Sequence, residues 1–202
     1  MRHDAMKDIL DPILELEEAV ASKALMRLGY EGLDSSQDIT EPSGAFYKDP
    51  TGFALHKFAY YQCALCVKPY FGGARDCVRD AEQRNRNIDA SELMCSVCSA
   101  PPGAVTTCAK HGDDYLEWKC RYCCSVAIWF CFGTTHFCEP CHNKYEDCQR
   151  NAEEGKMAHC PVGPVNIQLE GSASDCPLRC KHPPTGEEYP LGCGVCRNAG
   201  TF

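Results

Sequence analysis

Near the start of the chain, apolar residues recur with a helical period. Ile13, Leu16, Val20 and Ala24 form one stripe, with Leu14, Ala21, Leu25 and Leu28 beside it, the spacing that puts side chains on one face of a helix. Asp11-Pro12 reads as an N-cap followed by proline at the first helical position, where a missing N–H costs nothing. Glu15, Glu17 and Glu18 come early, Lys23 and Arg27 late, and Gly29 follows, the order favoured by the macrodipole and a glycine C-cap. The pattern predicts one helix of roughly 17 residues, about 25 Å long, whose broad apolar stripe packs on a neighbour.

From Phe46 onward the pattern is irregular. Pro, Gly, Asn and Asp punctuate most segments, and apolar runs are short. Ser125-Val126-Ala127-Ile128-Trp129-Phe130-Cys131-Phe132 alone reads as a buried strand, rich in β-branched and aromatic residues. Residues 1–44 lack cysteine and every later block is rich in it. The expected organisation is therefore an N-terminal linker helix region, 1–44, followed by a cysteine-rich domain, 45–202. That domain is poor in conventional core for its length, so bound metal would supply the missing stability. The expected fold class is a small, zinc-stabilised α+β domain with much irregular structure.

Composition narrows the setting. The chain carries eighteen cysteines in 202 residues. Its charged opening has no apolar stretch before a small-residue cleavage site, so no signal peptide is expected. No run of 18 or more apolar residues exists, so neither is a membrane span. An intracellular, cytoplasmic chain with reduced or metal-bound thiols is expected, ahead of the secreted disulfide scaffold that the even cysteine count permits. A formal charge of −8 and a pI near 5.3 argue against a nucleic-acid binder, which needs a basic face. The one dense basic stretch, Arg75, Arg79, Arg84 and Arg86, also carries Asp76, Asp80 and Glu82.

Spacing then sorts the cysteines. Cys63/Cys66, Cys95/Cys98, Cys108/His111, Cys120/Cys123, Cys138/Cys141 and Cys193/Cys196 share a two-residue gap, which lets both side chains reach one ion from a tight turn. His159, Cys160, Cys176 and His182 bring the candidates to sixteen, enough for about four tetrahedral sites. Thiolate and imidazole favour zinc over calcium or magnesium, with iron–sulfur clusters as the alternative. Which pairs share an ion is not readable from spacing.

Cys77, Cys124, Cys131, Cys148 and Cys180 are left over. A cysteine without metal is usually a small buried hydrophobe, the reading taken for Cys148 and Cys180. Cys124 follows a candidate ligand directly and is an alternative to one of the sixteen. Cys77 opens a polar stretch reading as an exposed, mobile loop, and Arg75 and Arg79 would favour its thiolate. Cys131 ends the apolar run and precedes Phe132-Gly133-Thr134-Thr135-His136-Phe137, a turn with a candidate base and two aromatic rings. Either thiol is a candidate nucleophile.

Six stretches carry a resemblance. Lys119-Cys120-Arg121-Tyr122-Cys123-Cys124-Ser125-Val126-Ala127 with Cys131-Phe132-Gly133-Thr134-Thr135-His136-Phe137-Cys138 closely resembles the tandem cysteine domain of the PHR proteins (the Pam, Highwire and Myc-binding protein 2 family). His182-Pro183-Pro184-Thr185-Gly186-Glu187-Glu188, Gly192-Cys193-Gly194-Val195-Cys196-Arg197-Asn198-Ala199 and Thr201-Phe202 are similar as well, as is Lys23-Ala24-Leu25-Met26-Arg27-Leu28. The resemblance implies a RING-Cys-relay ubiquitin ligase. Ubiquitin would pass from a conjugating enzyme to Cys77, then to Cys131, and finally to a threonine or serine hydroxyl of a substrate. It further implies His142 as general base, assisted by Glu92, with Phe132, Phe137 and Tyr145 walling the acceptor pocket. His142 abuts Cys141 and is also a candidate metal ligand, and His136 is a second candidate base. A neuronal, axonal setting is implied too.

The chain departs from the family at several points. Tyr145 stands where the family has phenylalanine, Cys148 and Cys180 are extra, and the stretch after Cys77 is one residue longer. No RING ligand series precedes Asp11, so a conjugating enzyme would be engaged through a RING missing from this chain. The competing expectation is a non-catalytic zinc module that binds proteins.

Overall fold

The computed structural model describes residues 2–76, 89–157, 160, 176–178, 180 and 182–198, without the side chains of 2–9 and 198. Cys77 and His159 lie outside the described residues. The chain divides into two compact units, Met1–Cys95 and Ser96–Phe202. The fold is a small α+β arrangement with an N-terminal helix and four Cys/His clusters.

The first unit opens with helix α1, Arg2–Tyr30. It begins ten residues before Pro12, the expected first helical position, so Pro12 sits inside it rather than at its first turn. Proline in a helix interior removes one backbone hydrogen bond. Residues 10–18 are exposed on every face. The far end also differs from expectation. The helix runs past Gly29, and the left-handed residue after it is Gly32 (φ 68°), with Leu33 N–H returning to Leu28 carbonyl at 3.0 Å.

Only the second half of the apolar stripe is buried. Ala24 and Leu28 join Ile39, Phe53, Ala54 and Phe58 in one core, while Leu10, Ile13 and Leu14 are exposed. The core forms around α2, Gln37–Thr40, and α3, Pro50–Lys57. Asp49 caps α3 by accepting from Gly52 N–H at 2.8 Å, and Pro50 supplies the favoured first-turn proline. Strands β1, Phe58–Gln62, and β2, Pro69–Ala74, pair antiparallel with a bulge at Ala59/Tyr60. The Arg27 guanidinium lies over the Phe71 ring at 4.1 Å, tying α1 to β2. The unit ends in a 3-10 turn, Ala90–Glu92, on whose exposed side Glu92 stands.

The second unit is built from short pieces: α4, Ser96–Ser99; β3, Leu116–Lys119; β4, Trp129–Cys131; β5, Thr135–Phe137; α5, Glu139–Asn143; α6, Tyr145–Glu153; β6, Tyr189–Cys193; and α7, Gly194–Asn198. β3 pairs with β6 and β4 with β5, both antiparallel. The long strand expected at 125–132 is therefore shorter. Ser125–Ile128 runs beside Trp118 and Phe137 through single backbone bonds, and Ile128 is exposed. Among the described residues, Cys124, Cys176 and Leu178 form one small, sulfur-rich cluster with Val126 and Leu191 against it, and Trp118 and Phe137 are buried as well. No described helix is long and apolar enough to cross a membrane.

Candidate metal centres and a cysteine hairpin

Every described cysteine is free of disulfide bonds. Four groups of Cys and His bring their donor atoms within 4.8 Å of one another: Cys63, Cys66, Cys95 and Cys98; Cys108, His111, Cys193 and Cys196; Cys120, Cys123, Cys138 and Cys141; Cys124, Cys160, Cys176 and His182. Their spacing fits a shared ion. Four thiolates held tetrahedrally at about 2.3 Å lie roughly 3.8 Å apart. The observed Sγ···Sγ separations are 3.7 Å for Cys66–Cys95, 3.6 Å for Cys108–Cys196 and 3.4 Å for Cys123–Cys138.

Local backbone explains each knuckle. Cys63 N–H donates to Lys68 carbonyl and Val67 N–H to Cys63 carbonyl, with Val67 left-handed at φ 60°. That turn aims Cys63 and Cys66 the same way. Ala64 N–H to Leu93 carbonyl (2.8 Å) brings Cys95 alongside, and Cys95 N–H then donates to Cys63 Sγ at 3.3 Å. Burial opposes ionisation of Cys63, yet N–H donors from Cys95, Cys66 and Leu65 outweigh it and hold the thiol at about 6. In the second group, reciprocal bonds between Cys108 and Gly112 close a tight loop. Backbone N–H groups of Lys110 and His111 hold Cys108 at about 6. The β3–β6 ladder sets Cys193 opposite Leu116, and His111 Nδ1 then lies 3.5 Å from Cys193 and 3.4 Å from Cys196.

The third and fourth groups adjoin, because Cys123 belongs to one and Cys124 to the other. A hydrogen bond from Cys120 brings Cys123 to about 7, while burial raises Cys141 and lifts Cys124 to about 12. Without a cation such groups hold protons, and a divalent ion would displace them. His182 Nε2 lies 3.3 Å from Cys176 and 3.6 Å from Cys160, and its Nδ1 donates to Pro183 carbonyl at 2.7 Å. That bond fixes the tautomer that leaves Nε2 for a metal.

Among the described cysteines, Cys131, Cys148 and Cys180 stand outside the four groups. Cys180 packs on the small apolar cluster, and Cys148 leans on Cys141 carbonyl at 3.8 Å. Cys131 is placed differently. It ends β4 at 1% exposure, pairs across the hairpin with Thr135, and its carbonyl accepts from Thr134 N–H at 3.2 Å. Phe132 and Gly133 both carry left-handed φ, 62° and 68°. A phenylalanine there costs on the order of 1–2 kcal/mol, and strain of this kind clusters at functional sites.

Aromatic rings and a histidine gather beside this turn. The Phe132 ring meets Tyr145 edge-on at 6.4 Å. His142, near the end of α5, stacks on Trp129 at 4.5 Å and meets Phe137 edge-on at 6.0 Å. His142 belongs to none of the four metal groups. His136 is committed elsewhere. Trp118 and Phe130 cover its two faces at 4.5 and 4.1 Å, and Glu188 engages both its backbone N–H (2.9 Å) and its Nδ1 (2.7 Å). It is a clamp between β5 and the 182–188 segment.

Fold and site together define a multi-centre Cys/His domain carrying one strained cysteine hairpin. No family model matches the chain. Over all 202 residues it is 54% identical to a segment of the E3 ubiquitin-protein ligase MYCBP2 of Danio rerio, and 48% identical to one of the E3 ubiquitin-protein ligase highwire of Drosophila melanogaster. The chain spans about 4% of the length of each of these curated relatives.

Proposed function

We propose that the chain is the zinc-held catalytic part of a ubiquitin ligase that relays ubiquitin between two cysteines and then esterifies a threonine or serine. Full-length similarity to segments of two E3 ubiquitin-protein ligases supports the pathway. The single observation that supports the relay is Cys131, a non-ligand cysteine at a strained aromatic turn. Thiolate and imidazole donors at these separations favour zinc at all four groups.

In this reading the Cys131 thiolate attacks the ubiquitin thioester carbonyl on Cys77. The new carbon–sulfur bond forms as the bond to Cys77 breaks, releasing the Cys77 thiolate. Exchange between thioesters is nearly isoenergetic, so neither step needs an energy source. An acceptor hydroxyl then attacks the Cys131 thioester and the Cys131 thiolate leaves. His142 takes the hydroxyl proton, because an alcohol is a weak nucleophile without a base. Glu92 assists His142, and Phe132, Phe137 and Tyr145 receive the acceptor's carbon skeleton. Conjugating enzyme, ubiquitin and hydroxyl-bearing substrate are the partners, the first engaged through a RING elsewhere.

One observation favours the competing reading, a non-catalytic zinc module that binds proteins: Cys131 is 1% exposed. A charging experiment separates the two. The chain is joined to a RING module, supplied with ubiquitin-loaded conjugating enzyme and free threonine, and digested for mass spectrometry. The relay predicts thioesters on Cys77 and Cys131 and a thiol-resistant, hydroxylamine-sensitive threonine ester. His142→Ala should keep four zinc ions and the thioesters while ester formation falls by 10²-fold or more, on the order expected for a lost general base. Labelling of neither cysteine would sink the relay.

A further inference from the structure

Side chains two residues apart on a strand share a face of the sheet. In β4, Trp129 therefore lies on the same side as Cys131, and across the ladder their partners are Phe137 and Thr135. Phe130 and His136 pair on the opposite side, where Trp118 and Glu188 hold the histidine. His142 is on the Cys131 side. Its ring stacks on Trp129 with 4.5 Å between centroids and 11° between planes, and it meets Phe137 edge-on at 6.0 Å. The backbone of His142 is set by α5, in which its N–H donates to Cys138 carbonyl at 2.9 Å. That placement alone leaves the imidazole several rotamers, and a stacked neighbour selects among them. The stack carries a cost. The Trp129 indole N–H is buried with no hydrogen-bond partner among the described residues, and a buried donor left unpaired costs about 1–3 kcal/mol. Phenylalanine at this position would have no donor to bury. Tryptophan presents the larger aromatic face to the imidazole.

We propose that Trp129 is a positioning residue for ester formation: its indole face fixes the His142 imidazole on the side of the hairpin that carries Cys131. The inference rests on the proposed relay, in which His142 takes the hydroxyl proton. A tryptophan that only packs the β4–β5 hairpin would matter equally with or without His142. A positioning residue matters only while the base is there.

The test uses the full, zinc-loaded chain joined to a RING module, with free threonine as acceptor and bound ions counted by native mass spectrometry. Trp129→Leu should keep the zinc count and the Cys131 thioester. Its rate of ester formation at saturating threonine should fall about 10- to 100-fold, the scale of a displaced catalytic group. Trp129→Phe, which keeps a smaller ring face, should recover part of that rate. In a His142→Ala background, Trp129→Leu should change the remaining rate by less than about twofold. An equal loss in both backgrounds overturns the inference and makes Trp129 a packing residue. Proton resonances give a second readout, because protons over an aromatic face are shielded. The ring protons of His142, assigned by their absence in His142→Ala, should lie upfield in the wild type and in Trp129→Phe, and return downfield in Trp129→Leu. Unshifted resonances in the wild type overturn the inference. If Trp129→Leu does not hold its zinc, Trp129→Met, which is unbranched and fills gaps, replaces it. If neither variant folds, Trp129 is a folding residue and the inference is overturned. A zinc-loaded wild type that forms no threonine ester overturns the relay and the inference together. Ester formed at the same rate by wild type and Trp129→Leu overturns the inference alone.

Discussion

The two units are stabilised in different ways. Met1–Cys95 has an apolar core of the usual kind, in which Ala24, Leu28, Phe53 and Phe58 meet across α1, α3 and β1, and Cys63 and Cys66 of the first metal group follow β1 in the turn before β2. Among the described residues of Ser96–Phe202 the strands are three to five residues long, the apolar cluster around Leu178 is small, and three groups of four donors draw distant segments together. A metal-held frame tolerates an irregular backbone, because ligand bonds replace the buried area that regular layers would supply. It also allows a strained hairpin such as Cys131–Thr135 to persist.

The largest test of that contrast is metal removal. A structural zinc site supplies on the order of 10 kcal/mol, far more than the small cluster around Leu178. Chelation should abolish hydrogen-exchange protection at 116–119, 129–137 and 189–193, while amides of 20–30 and 50–58 keep part of theirs. Equal loss in both units would show that the core around Leu28 also depends on metal.

Next in size is the reverse experiment. Leu28 is 1% exposed, and Leu28→Ala leaves a cavity costing about 2–5 kcal/mol. Melting followed by exchange should show the first unit weakened, with the ion count of the second, third and fourth groups unchanged.

These two tests bear on what the sequence reveals. Two-residue knuckles are local geometry, so all six pairs could be picked out by spacing. Partner choice is set at long range. Cys108/His111 meets Cys193/Cys196 because β3 pairs with β6, and nothing in spacing announces that register. Likewise Cys124 joins Cys160, Cys176 and His182 in the fourth group, an alternative that its place directly after Cys123 had left open. The helix was legible where its stripe is buried, at Ala24 and Leu28. Its start was missed because Asp11-Pro12 is a strong local start signal, which the longer helix overrides. Lys119 is fully buried and gave no signal of it, since lysine is almost never fully buried without partners. The isolation of His142 from metal also needed the fold, because Cys141 beside it is a ligand candidate and adjacency in sequence does not fix where a ring points.

A smaller effect is expected at the clamp in the second unit. Glu188→Ala leaves His136 N–H without its acceptor in a site where the two side chains are 12% and 18% exposed. The cost should be about 1–3 kcal/mol, read as a lower melting temperature. Cadmium spectra of the four centres should not change. Loss of a metal at the same time would mean that the clamp and the metal frame are one cooperative element.

The smallest expected effect has the opposite sign. Phe132 pays for a left-handed backbone with φ 62°, and glycine occupies that region freely. Phe132→Gly should therefore gain local strain energy of about 1 kcal/mol, partly offset by the greater freedom of glycine in the unfolded chain and by the lost contact with Tyr145. Net stability should change by less than about 1 kcal/mol. On the proposed relay, ester formation should still drop, because the ring proposed to wall the acceptor is gone, while ubiquitin should still reach Cys131. Phe132→Val separates the two contributions. It keeps an apolar side chain but places a β-branched residue where φ is positive, which is costlier than phenylalanine. A hairpin whose stability and transfer rate fall together in both variants would make Phe132 structural. Stability kept in Phe132→Gly with transfer lost would mark the strained phenylalanine as a residue retained for the reaction.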